Sequence, residues 1–140
     1  YKNSCVEFFV NPNPDKDDRY LNFEMNAAGT LLLGLGVNRH ERKRFYIENF
    51  KEFFNIKSLV TEKNLANYEG NYWTVEYSIP LTFLEEIYGN LNMTSGHKMK
   101  ANFYKCGDET RYPHYGCWNK LLNKEPDFHR PEYFGDLILD

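Results

Sequence analysis

The sequence predicts an all-β domain, an antiparallel β-sandwich of jelly-roll or immunoglobulin-like type carrying one short helix. Three observations predict it. Aromatic residues are dense, with 11 Tyr, 11 Phe and 2 Trp among 140 residues, and such side chains suit pleated, half-buried surfaces. Several short segments alternate apolar and polar residues with the period of two that a half-buried strand requires. Gly, Pro, Asn and Asp separate those segments, where turns are needed. A chain of this length fits one domain, residues 1–140, with enough residues to bury a core.

Residues 4–10 read as the first strand, with Val6, Phe8 and Val10 on one face and Cys5, Glu7 and Phe9 on the other; Asn11, Pro12, Asn13 and Pro14 end it. Residues 20–26 alternate more cleanly. Leu21, Phe23 and Met25 face one way; Tyr20, Asn22, Glu24 and Asn26 face the other. Ala27, Ala28 and Gly29 turn the chain into a strand at residues 30–35, giving a hairpin. The basic run from Arg39 to Arg44 reads as a solvated loop. A short strand at residues 56–61 and a strong one at residues 72–79 follow, with Trp73 assigned to the core. Pro80 closes that strand and opens a helix over Leu81–Tyr88, which Gly89 stops. Residues 98–106 and 135–139 are further strands. The coil between them, residues 107–134, holds Trp118 and many other rings. Coils this long inside compact domains are usually functional or disordered, and the ring content argues against disorder. A strand opening at residue 4 implies sheet partners upstream of this sequence.

Composition excludes several functions. The net charge of −3 comes without a basic stripe, which argues against nucleic-acid binding. No apolar run is long enough to span a membrane, and no signal peptide is present, as in a processed chain. Cys5, Cys106 and Cys117 lack a CxxC zinc pattern and cannot all pair internally, so they read as buried thiols. Asp15, Asp17 and Asp18 cluster oxygens as calcium requires, but without EF-hand spacing they read as a surface turn. Asp127, His129 and Arg130 bring an acid, an imidazole and a guanidinium together. Glycoside hydrolysis, however, needs two carboxylates across a cleft, and neither HExxH nor a nucleophile elbow occurs. That segment reads as a loop pinned by its own Asp–Arg pair, and no catalysis is expected.

Two features point to binding. Tyr20, Asn22, Glu24 and Asn26 line one strand face, with Glu7 on a neighbouring strand; carboxylate, amide and ring together suit sugar hydroxyls. A solvated outer face is the competing reading. Trp118, beside Gly116, Cys117 and Asn119, is a candidate platform for the apolar face of a pyranose, against the alternative of a core plug.

Four segments, NSCVEFF (residues 3–9), YLNFEMNAAG (20–29), HYGCW (114–118) and PDFHRPEYFG (126–135), resemble the family 9 carbohydrate-binding modules. They are closest to the bacterial family 9-like domains related to the DOMON β-sandwiches. The resemblance implies a module that binds mono- or disaccharides or the ends of glucose- or xylose-type chains, with structural calcium. It implies two clamping rings, which fall on Tyr1, where the family usually has Trp, and on Trp118. The family's binding acid falls on Glu7, and its polar pair on Glu24 and Asn26, with Glu24 replacing a basic residue. It further implies extra strands ahead of residue 1, a secreted, periplasmic or cell-surface setting, and fusion to or association with a glycoside hydrolase in polysaccharide utilisation. Three rivals stand beside it. One is a DOMON-type haem or redox domain using Met25 and His114. Another is a glycoside hydrolase using Glu7 and Glu24. The third is a scaffold fused to an enzyme.

Overall fold

The computed structural model describes residues 4–125 and 127–140. Among these, the strands are β1 (Cys5–Asn11), β2 (Tyr20–Asn26), β3 (Leu31–Gly36), β4 (Arg42–Phe45), β5 (Lys57–Ser58), β6 (Val75–Glu76), β7 (Lys98–Gly107), β8 (His114–Cys117) and β9 (Gly135–Ile138). The helices are α1 (Phe50–Phe53) and α2 (Leu81–Tyr88). Seven strands pair antiparallel in the order β4-β3-β2-β1-β7-β8, with β9 also on β7, while β5 and β6 form a separate pair. Fold class and antiparallel pairing are as the sequence predicts. β8 and β9 divide one edge of β7, taking residues 104–107 and 98–101 respectively.

Both faces of the main sheet are covered. On the first, Val10, Leu21, Phe23, Leu33, Met99 and Ala101 pack against Phe54 and against Phe83, Leu84 and Tyr88 of α2. Tyr77 and Ile79 of the segment after β6 join them. In α2 the apolar positions 83, 84, 87 and 88 make one stripe of helical period. Gly89, at φ 80°, ends the helix, its N–H donating to the Glu85 carbonyl. On the second face, Phe9, Tyr20, Tyr104 and Phe134 form a smaller core capped by Leu121 and Phe128 of the connection between β8 and β9. That cap covers one end of the face only. The other end holds the polar site described below.

The β2–β3 hairpin forms where expected. Gly29 has φ 71°, and the Asn26 carboxamide oxygen accepts from the N–H groups of Ala28 and Thr30, closing the turn.

Three local readings are corrected. The basic run is a loop only in its first half: Arg39, His40 and Glu41 are exposed bends, while Arg42–Phe45 is an edge strand on β3. Residues 107–134 contain β8 and a 3-10 turn at Pro131–Tyr133. The expected strands at 56–61 and 72–79 pair for two residues each, although Val75, Tyr77 and Ile79 do alternate inward. Trp73 is only partly buried. Its Nε1 donates to Ser4 Oγ at 3.3 Å, and the Lys105 ammonium stands 5.8 Å from a ring centroid of the indole.

Candidate ligand-binding site

Antiparallel register places Glu7 opposite Glu24 on β2 and Tyr104 on β7, and Cys5 opposite Asn26 and Cys106. Side chains of directly opposed residues share a face, so the sheet gathers two carboxyls and two thiols on its second face. Over them opens a cavity of about 390 Å³. Its floor is Glu7, Glu24, Leu32, Arg42, Arg44 and Cys106; its rim includes Arg39, Asp108, Tyr115, Phe128 and His129.

A chain of hydrogen bonds fixes one wall. Asn22 Nδ2 donates to Glu24 Oε1 at 2.8 Å, and Arg42 Nη1 donates to the same oxygen at 3.1 Å. Arg42 Nη1 also lies 3.0 Å from His129 Nε2, and His129 Nδ1 lies 2.8 Å from the Tyr20 hydroxyl. A guanidinium can only donate, so Nε2 accepts, and the neutral imidazole carries its proton on Nδ1 towards Tyr20. Burial, reinforced by the charges of Arg42 and Arg39, holds the His129 imidazolium down to about 3. His129 is therefore neutral at physiological pH. The loop bearing it is tied down by Asp127, whose Oδ1 accepts from Arg39 Nε at 3.0 Å and from the His129 N–H at 3.1 Å. The Asp127–Arg130 pair expected from the sequence gives way to this long-range one; Arg130 pairs with Glu132 instead.

Glu7 sits in the drier half of the floor. Burial first, and then the Glu24 charge, push its carboxyl up to about 8. Its Oε1 lies 3.4 Å from Cys5 Sγ and 3.2 Å from Cys106 Sγ. Near pH 7 the carboxyl is thus mainly protonated and can donate, while Glu24 accepts.

The raised value has a consequence for stability. Between about 4.5 and about 8 the folded chain keeps a proton at Glu7 that the unfolded chain has lost. The stabilisation is complete below the unfolded value and is lost as pH rises towards the folded one, with a slope approaching about 1.4 kcal/mol per pH unit. Urea midpoints at pH 5 and pH 8 are expected to fall with pH in the native chain and to fall less in Glu7→Gln. Equal slopes in both would assign the effect to another group.

The residues expected from the sequence are distributed unevenly. Glu7 and Glu24 line the cavity together. Asn26 shares their face but is engaged by the hairpin turn, outside the lining. Trp118 is 53% exposed and packs edge-on against Phe103, ring centroids 5.7 Å apart. Phe103 stacks on Phe8, which packs on the first-face core, so the indole stands across β7 from the cavity. Tyr1 lies outside the described residues. Met25 is buried in the core and His114 is exposed on β8; three strand spacings, about 14 Å, separate their strands. Haem ligation by this pair would need the core opened. Cys117 is exposed, against the expectation of three buried thiols.

Residues the sequence reading missed include Arg42, Arg44, His129, Tyr115 and Phe128. Residues 42–45 carry no alternation of hydropathy to mark a strand, and His129 was visible only within the segment read as a pinned loop.

Asp17 of the acidic turn is held by Arg19 through Nε at 3.0 Å and Nη2 at 2.5 Å. Among the described residues, the group bringing three potential ligands within 4.8 Å of one another is Cys5, Glu7 and Cys106. Two thiols suit soft or borderline ions, not a hard one. No helix among the described residues is long and apolar enough to cross a membrane.

Comparison with known proteins adds three findings. A family model described as carbohydrate-binding family 9 matches residues 1–139. The crystal structure of a candidate carbohydrate-binding protein from Bacteroides uniformis ATCC 8492 is similar, at 32% sequence identity and a TM-score of 0.73. The alignment covers 99% of this chain and 62% of that one, so the chain spans about three-fifths of its length. No curated protein matches.

Proposed function

The chain belongs to carbohydrate-binding family 9, and on that premise we propose that the cavity over Glu7 and Glu24 is a non-catalytic site for a saccharide or a polysaccharide chain end. The observation carrying this reading is the lining itself: oriented donors and acceptors on the floor, with the Tyr115 and Phe128 rings at the rim. A sugar needs that combination, because its hydroxyls demand paired donors and acceptors while its C–H faces favour rings. Glu24, held by Arg42 and Asn22, accepts; protonated Glu7 donates; Arg44 adds a further donor. Trp118, which stands across β7 from this cavity, we assign to a second subsite.

The placement of the carboxyls favours binding over hydrolysis. Glu7 and Glu24 stand side by side on adjacent strands, whereas glycosidase carboxyls face each other across the scissile bond. A setting outside the cytoplasm and an association with a glycoside hydrolase accord with this role.

Titration calorimetry with xylo- and cello-oligosaccharides tests the reading. Glu24→Gln is expected to weaken binding at least tenfold, because a buried Arg42 loses its charged partner, which corresponds to about 1.4 kcal/mol or more. Trp118→Ala is expected to change affinity less. The reverse ranking would move the principal site to the Trp118 edge, and no heat from any saccharide would remove the sugar site.

A further inference from the structure

Beneath the cavity lies a feature that sugar binding does not use. Cys5 and Cys106 are direct cross-strand partners on β1 and β7, and both are buried. Opposed residues in antiparallel strands have Cα atoms about 4.5–5.5 Å apart, inside the range of about 4.4–6.8 Å that a disulfide spans. Their Sγ atoms are 2.7 Å apart. Two thiolates sharing one tetrahedral zinc, with bonds of about 2.3 Å, would stand about 3.7 Å apart. The sulfurs are therefore too close for a shared ion and close enough to bond after a small rotation. Cys117 offers no competing partner. It pairs with Tyr104, which leaves it diagonal to Cys106, at a Cα separation of about 7–8 Å.

We propose that Cys5 and Cys106 form a disulfide that joins the adjacent strands β1 and β7 under the floor of the cavity. The hydrogen bond between the two sulfurs lowers the Cys5 thiol from its ordinary value, and we assign Cys5 as the attacking thiolate. With a small-molecule disulfide such as oxidised glutathione as the oxidant, the Cys5 thiolate attacks one glutathione sulfur and expels a glutathione thiolate. The Cys106 proton passes to that leaving thiolate. The Cys106 sulfur then attacks Cys5 in the mixed disulfide, forming the protein S–S bond and releasing the second glutathione. Two protein thiols are oxidised and one external disulfide is reduced to two thiols. The cavity reaches the pair at Cys106, with the Cys5 sulfur 2.7 Å beyond it. The resulting cross-link ties together residues 101 positions apart, so it constrains the unfolded chain over most of its length.

The chain, equilibrated with oxidised glutathione and alkylated under denaturing conditions, is expected to take one label, on Cys117. A proteolytic map should contain a peptide joining Cys5 to Cys106. After reduction all three cysteines should label, and the melting temperature should drop by about 10 °C. Cys5→Ser/Cys106→Ser should melt near the reduced chain and ignore reductant. Were the double variant to misfold, labelling of the native chain alone decides the matter. Three labels after oxidation, or a link through Cys117, would overturn the proposal. So would a native mass carrying a chelator-sensitive metal ion with both thiols intact.

Discussion

Phe23→Ala is expected to cost about 3–5 kcal/mol of folding free energy, the range for truncating a fully buried aromatic ring. The ring is 1% exposed and lies on β2, between β1 and β3. Its centroid is 6.4 Å from Phe8, 5.6 Å from Phe54 and 6.0 Å from Tyr77. These neighbours come from three separate segments, so none can collapse into the space without dragging its own element. The ring also joins the sheet to its covering layer. Urea denaturation should show a lower midpoint with an unchanged slope, the signature of lost stability without a changed unfolded state. Phe103→Ala, at a ring 43% exposed, should cost less than half as much.

Arg42→Ala should be nearly as damaging, by about 3 kcal/mol, for a different reason. The Arg42 and Glu24 side chains are only 15% and 10% exposed. Removing one partner leaves a buried charge uncompensated, which is worse than removing both. Arg42 also donates to His129, so the loop over the cavity loses one of its contacts with the sheet while keeping the one to Tyr20. In a double-mutant cycle, Glu24→Gln in the Arg42→Ala background is expected to restore part of the loss. Additive losses would show that the two side chains are not coupled.

Sequence pattern carried the central part of this fold and little of its edges. The strand Tyr20–Asn26 was legible because one face is apolar and the other polar, and its register delivered Glu7 and Glu24 to one site. Arg42–Phe45 was not legible, because a strand of sequence RKRF has no alternation of hydropathy. Its pairing with β3 and its ion pair with Glu24 are tertiary facts, and local charge pointed to solvent. Residues 72–79 misled in the opposite direction. Val75, Tyr77 and Ile79 do face inward, yet the segment forms a ladder for two residues only, flanked by single backbone bonds from Leu59 to Thr74 and from Ser78 to Phe54, so the period reported burial more than pairing. For Asp127, proximity in sequence suggested Arg130, while the fold supplied Arg39 from 88 residues away. Trp118 was read correctly as a surface ring, but a one-residue alternation decides which side of β7 it occupies, and coil offers no phase from which to read that.

The short basic strand at the rim of the sheet also bears on solubility. β4 is the outermost strand on its side, pairing with β3 alone among the described strands. An unpaired strand edge is a template on which a second molecule can add, and natural sheets discourage this with brevity and like charge. Here four residues carry Arg42, Lys43 and Arg44. Two such edges brought together would oppose the exposed cations Lys43 and Arg44 of each copy, four in all. The run that resembled a solvated loop thus serves as a gatekeeper against edge-to-edge aggregation, while one of its members, Arg42, is turned inward to hold the site.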